Sequence, residues 1–166
     1  MRERALEFAR KAHGEQKRKY TGEPYIEHCI AVAKLVENVG GSEEMITAAL
    51  LHDTVEDTET TLDDIGREFD GVVRSMVFFL TDDGVGNRAA RKRAYREKLA
   101  VASGQTQTIK LADLIDNTKT IVEHDPRFAK VYMAEKRDLL EVLNYGDPTL
   151  YAEASRMVEN YFRGQP

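Results

Sequence analysis

The 166-residue chain reads as an all-α fold, a bundle of about eight or nine helices, on three observations. Apolar residues recur at spacings of three and four along nearly the whole chain. No segment of strand length shows clean apolar–polar alternation, and helix start and stop signals punctuate the pattern. The first helix covers about residues 2–17, with Leu6, Phe8, Ala9 and Ala12 inward and Arg4, Arg10 and Lys11 outward. A polar loop follows from Lys17 to Glu23. Pro24 suits the first turn of the second helix, which runs through Ile26, Ile30, Ala33 and Val36 to the stop at Gly40-Gly41. Ser42 is an N-cap candidate for the third helix, whose stretch from Met45 to Leu51 is apolar on nearly every side, so this helix is expected to be central and buried.

Thr61 with Asp64 three residues on resembles a capping box and opens a short helix to about Phe69. Val72 to Leu80 forms a fifth helix, and Asp82 to Asn87 is the least ordered stretch. A basic helix runs from Arg88 to about Ala102. The helix carrying Ile109, Leu111, Ala112, Leu114 and Ile115 ends before Pro126, and two more, about 127–144 and 149–163, are separated by Gly146-Asp147-Pro148.

At this length one domain spanning 1–166 with a full-sized core is expected, without room for a second catalytic domain. The net charge of -5 disfavours a generally basic nucleic-acid binder. Cys29 is the only cysteine, so neither a disulfide framework nor a cysteine-based zinc site is expected, which fits a reducing compartment. No apolar run approaches the roughly 18 residues of a membrane span, and the charged start lacks the apolar core of a secretory signal. The expectation is a soluble, cytoplasmic protein with no membrane partner. Self-association is left open.

Polar residues in apolar surroundings carry the chemistry. The third helix ends Leu50-Leu51-His52-Asp53-Thr54-Val55-Glu56-Asp57. Helical spacing puts Glu56 four residues from His52, and Glu56 and Asp57 three and four from Asp53, all on one side. Carboxylates so grouped require a cation, and a divalent metal supplies one; a fraying, solvated acidic helix end is the alternative. His28 lies among Tyr25, Ile26 and Ile30, where a core histidine bonded to a backbone carbonyl would also fit. Asp113 interrupts the apolar run from Ile109 to Ile115, and Asn117 and Thr120 extend it into a polar stripe. A buried helix–helix hydrogen-bond network is the other reading of that stripe. His28, His52, Asp53 and Asp113 together offer two imidazoles and two carboxylates, a thiolate-free set that suits one Mn²⁺, Fe²⁺ or Zn²⁺ with open positions. His13 and His124 read as surface or packing residues.

Charge is unevenly spread. Residues 1–19 carry seven basic and three acidic side chains, whereas residues 42–71 carry one basic and ten acidic. Arg88, Arg91, Lys92, Arg93, Arg96 and Lys98 fall within eleven residues, with Arg88, Lys92 and Arg96 along one face. A solvated face is the plain reading of such a run; Arg88 and Lys92 are the choices for phosphate contacts. A DNA-binding role for this helix would leave the buried His and Asp residues without a function.

Over about residues 3–145 the sequence resembles the HD-domain metal-dependent phosphohydrolases, and within them the hydrolase domain of RelA/SpoT homologues. The resemblance rests on the segment from Arg18 to His28 (RKYTGEPYIEH), that from Ala48 to Thr58 (AALLHDTVEDT), and that from Lys110 to Thr120 (KLADLIDNTKT). It implies an all-helical HD-domain bundle and hydrolysis of the 3′-pyrophosphate of ppGpp and pppGpp, usually with Mn²⁺, by a stand-alone small alarmone hydrolase. It also implies metal ligation by His28, His52, Asp53 and Asp113, and positioning and activation of the attacking water by Glu56 and Asp57. Asn117 and Thr120 match nucleoside-contacting positions; Arg18 and Lys19 match a basic pair beside the base and phosphates. Two features depart from the family pattern: Cys29 follows the first ligand where Pro is common, and Tyr20 lengthens the lead-in loop by one residue. Other HD-domain activities, such as a nucleotidase or an NADPH phosphatase, and a non-catalytic alarmone-binding module are the rival readings.

Overall fold

The computed structural model describes residues 1–164, and the last two residues of the expected 1–166 domain lie outside them. Ten helices follow in order: α1 Arg2–His13, α2 Ile26–Asn38, α3 Glu43–Leu51, α4 Thr54–Asp57, α5 Leu62–Glu68, α6 Gly71–Leu80, α7 Arg88–Ala100, α8 Gly104–His124, α9 Pro126–Leu140 and α10 Pro148–Arg163. The one-turn α4 is the addition to the expected eight or nine. Among the described residues there is no strand, only an isolated bridge between Lys17 and Pro24.

Local chemistry explains most boundaries. The Ser42 hydroxyl accepts from the backbone N–H of Met45, capping α3, and Thr61 and Asp64 form a reciprocal capping box on α5. Pro126 and Pro148 occupy the first positions of α9 and α10, where the missing N–H costs nothing. α1 stops at His13, four residues short of its expected end, because Gly14 turns the backbone to φ +50°. The third helix also ends early. Asp53 sits at φ -97°, ψ -5°, and the Thr54 hydroxyl caps the Leu51 carbonyl at 2.7 Å. The acids therefore do not share one continuous helical face with His52; a turn separates them.

Every residue from Met45 to Leu51 is buried, and α3 is packed by α1, α2, α6 and α8. The 21-residue α8 is the second axis, contacted by α2, α9 and α10 as well. At its start the buried Gln107 donates to the carbonyls of Leu99 and Val142, each at 3.0 Å, and accepts from the Tyr145 N–H, tying α7, α8 and the segment after α9 together. The ends of α3 and α2 and the middle of α8 meet inside the bundle, which is where the buried polar residues collect.

Candidate metal centre

His28 comes from the first turn of α2, His52 and Asp53 from the turn after α3, and Asp113 from the middle of α8. His28, His52 and Asp113 are 1, 2 and 5 % exposed. Each offers one ligand atom, and those three atoms lie within 4.8 Å of one another. Asp113 Oδ1 stands 3.2 Å from His28 Nε2 and 3.7 Å from His52 Nε2. Asp53 is outside that trio, but its Oδ2 faces the same two nitrogens at 3.1 Å (His52) and 3.5 Å (His28).

The outer partners decide which ring nitrogens face inward. His28 Nδ1 lies 2.7 Å from Asp116 Oδ2, and His52 Nδ1 lies 2.8 Å from the Ala49 carbonyl. A carboxylate and a carbonyl only accept, so both Nδ1 atoms carry a proton. Both Nε2 atoms are buried and make no hydrogen bond. Two buried imidazole nitrogens that make no hydrogen bond, facing carboxylates at 3.1–3.7 Å, call for positive charge between them. The donor set fits a divalent metal.

Electrostatics point the same way. Burial opposes ionisation of Asp53 and Asp113, yet His52, His28 and, for Asp113, first of all Lys110 hold both carboxyls well below their usual range. Burial likewise works against charge on the imidazoles, but the carboxylates outweigh it: His28 is pushed well up and His52 to about 9. The cluster demands positive charge. Lys110, 2.6 Å from Asp113 Oδ2, and Asn117, 2.7 Å from Asp113 Oδ1, fix that carboxylate, and the Tyr25 hydroxyl donates to Asp53 Oδ2 at 2.7 Å.

Glu56 and Asp57 stand beside the cluster on α4. Burial raises both carboxyls, with Asp53 adding to the effect. Glu56 Oε2 accepts the Asp82 backbone N–H at 2.9 Å, and Gln16 donates to Asp57 Oδ2 at 3.3 Å. Carboxyls held at raised pKa are suited to taking and returning protons.

A cavity of about 570 Å³ opens from this point, lined by Asp53, Glu56, Asp57 and Asp113 at the acidic end and by Arg88, Lys92, Arg93 and Arg96 of α7 along another wall. Phe128, Tyr132, Ile121 and Leu139 add apolar surface. Arg88 and Lys92, the choices for phosphate contacts, both line this cavity, each with a carboxylate partner: Arg88 makes two hydrogen bonds to Glu135, and Lys92 one to Asp82 at 2.8 Å. Asn117 also lines the cavity, whereas Thr120, Arg18 and Lys19 do not. Thr120 donates to the Asn117 carbonyl at 3.2 Å, Lys19 projects over the Tyr20 ring, and Arg18 pairs with Asp116 at 2.7 Å. His13 is buried, with Nδ1 2.8 Å from Gln16 Oε1, so of the surface and packing options it takes packing; His124 is exposed beside Tyr20.

Sequence reasoning missed Tyr25, Asp82, Lys110, Asp116 and Glu135. Lys110 and Asp116 had a signal, since each is three residues from Asp113 on the same helix. Asp82 and Glu135 come from distant segments and had none.

An all-α bundle that gathers two buried imidazoles, a buried carboxylate and a half-buried one beside a cavity of this size has the construction of a helical metal-dependent hydrolase. The chain belongs to the HD domain family, whose pattern matches residues 5–143. It is 43% identical over 122 residues to guanosine-3′,5′-bis(diphosphate) 3′-pyrophosphohydrolase of Aquifex aeolicus, covering 72% of this chain and 17% of that protein. It is 40% identical over 120 residues to the human protein of the same activity name, MESH1, covering 70% of this chain and 67% of the relative. Among solved structures, one described as a metazoan ortholog of SpoT that hydrolyses ppGpp superposes with a TM-score of 0.89 at 29% identity, over 98% of this chain and 95% of that one. The protein lmo0812 of Listeria monocytogenes superposes with a TM-score of 0.74 at 28% identity, over 87% and 99%. No helix among the described residues is long and apolar enough to cross a membrane.

Proposed function

We propose that this chain is a metal-dependent 3′-pyrophosphohydrolase of guanosine alarmones, converting ppGpp or pppGpp and water to GDP or GTP and pyrophosphate. The observation that carries the reading is the pair of Nε2 atoms of His28 and His52, without a hydrogen bond, facing Asp113 and Asp53, which line a cavity that the cations of α7 also line. The names of the Aquifex and human relatives and of the metazoan structure support the choice of nucleotide.

His28, His52, Asp113 and Asp53 would hold one ion. The thiolate-free donors suit Mn²⁺, Fe²⁺ or Zn²⁺, and the resemblance to the HD-domain alarmone hydrolases favours Mn²⁺ among them. When bound, the ion supplies Lewis acidity and neutralises charge at the phosphoryl group. Glu56 and Asp57, whose burial raises their pKa, orient the attacking water and accept its proton. Arg88 and Lys92 neutralise the diphosphate, exchanging Glu135 and Asp82 for phosphate oxygens. Asn117 keeps Asp113 oriented from the cavity side.

The test is incubation of Mn²⁺-loaded protein with ppGpp, pppGpp, NADPH, dNTPs and nucleoside monophosphates, with products resolved by chromatography. Pyrophosphate with GDP or GTP is the expected outcome. Phosphate released from NADPH or from monophosphates, with ppGpp intact, would assign another HD-domain activity; saturable ppGpp binding without turnover would make the chain a binding module.

A further inference from the structure

The lead-in loop between α1 and α2 is built around Arg18. Its backbone N–H donates to the Glu23 carbonyl at 2.8 Å, its carbonyl accepts the Gly22 N–H at 3.0 Å, and Gly22 closes the turn at φ +72°. The Arg18 side chain is not among those that line the cavity and pairs with Asp116 Oδ2 at 2.7 Å. That same oxygen lies 2.7 Å from His28 Nδ1. The Arg18 and Asp116 side chains are 11 and 14 % exposed, so this chain of contacts is largely shielded from water. Helix α8 therefore holds the His28 ring at both edges, with Asp113 at Nε2 and, one turn later, Asp116 at Nδ1.

We propose that Arg18 is a positioning residue which, through Asp116, fixes the protonated Nδ1 and the orientation of His28 so that Nε2 is presented to a metal ion, and that it does not contact the nucleotide. Asp116 alone would place a third carboxylate against His28, beside Asp53 and Asp113; the guanidinium offsets that charge and holds Asp116 toward the ring. The inference rests on the metal centre of the proposed function and is independent of which nucleotide is hydrolysed.

Two measurements without nucleotide test it. In the wild-type protein loaded with diamagnetic Zn²⁺, long-range ¹H–¹⁵N NMR of the imidazoles should show His28 protonated at Nδ1; protonation at Nε2 overturns the proposal whatever any variant does. Mn²⁺ titration should show Arg18→Met and Asp116→Ala binding about 10- to 100-fold more weakly, with Arg18→Lys recovering most of the loss. At saturating Mn²⁺, the KM for ppGpp of Arg18→Met should stay at the wild-type value. Unchanged Mn²⁺ affinity in Arg18→Met, with or without a raised KM, overturns the positioning role, and a raised KM alone returns Arg18 to the nucleotide. If Arg18→Met does not fold, Arg18→Lys and the wild-type spectrum still decide. Failure of ppGpp hydrolysis with the metal results intact would leave this inference standing and remove only the alarmone reading.

Discussion

The proposed function gives Glu56 and Asp113 different roles, and single substitutions separate them. Asp113→Ala removes a carboxylate that faces both free Nε2 atoms, so Mn²⁺ binding, followed calorimetrically, is expected to be lost. Glu56→Gln keeps the ligands and the hydrogen bond to the Asp82 N–H but cannot take a proton; Mn²⁺ affinity should be retained while kcat falls by about 10²-fold or more. Turnover at the wild-type rate in Glu56→Gln would remove the water-activation role. The raised imidazoles also set a pH dependence. Protons compete with the metal for His28 and His52 until the pH passes the His52 value of about 9, so Mn²⁺ affinity should climb steadily between pH 6.5 and 9. A flat profile would mean that protons do not compete with the metal at the imidazoles in this range. The gathering of His28, His52, Asp53 and Asp113 in one place was legible, because an Asp among Leu111, Ala112 and Leu114 and a His among Ile26 and Ile30 are out of place. The pairing of Arg18 with Asp116 was not, since a resemblance in residue type carries no information about which partner a loop side chain meets.

Among the elements, α3 and α8 do most to place the site. Sequence periodicity gave their existence and the burial of Met45 to Leu51, but it ran the helix through Asp57, whereas a turn at Asp53 breaks it. That break follows from side-chain hydrogen bonding: the Thr54 hydroxyl takes the Leu51 carbonyl, an option that spacing rules ignore. The start of α8 is set by a close approach, since a Cβ at Gly104 would lie 2.4 Å from the Tyr145 carbonyl oxygen. Gly104→Ala should therefore destabilise the fold by about 1–3 kcal/mol and lower the thermal midpoint by several degrees, with an ellipticity still helical. Lys136 of α9 is a buried cation bonded, among the described residues, to the Thr118 hydroxyl at 2.7 Å and the Met157 sulfur, and burial lowers its pKa to about 8. The unfolded chain holds that proton more tightly, so the cost of burying the charge is full below pH 8 and fades as pH rises toward 10.5. Lys136→Met should be more stable than the wild type by about 1–3 kcal/mol near pH 7, and the difference should shrink by pH 10. Chemical denaturation at the two pH values checks this; a destabilised variant at pH 7 would show that the bond to Thr118 outweighs the desolvation.

Over the whole molecule, the net charge of -5 resolves into an acidic centre and cationic flanks, and the fold brings the two together. The cations of α7 lie thirty or more residues after the acids of α4, yet the cavity joins them, which composition and spacing do not reveal. In the proposed reaction, water deprotonated by Glu56 and Asp57 attacks the phosphorus attached to the ribose 3′ oxygen, and the nucleoside keeps that oxygen. Hydrolysis of ppGpp by the Mn²⁺-loaded protein in H₂¹⁸O tests this most directly. One ¹⁸O in the released pyrophosphate, none in GDP, and loss of both products in Asp113→Ala are expected. Stepwise release of inorganic phosphate, ¹⁸O in the nucleoside, or intact ppGpp after prolonged incubation would contradict the proposed reaction.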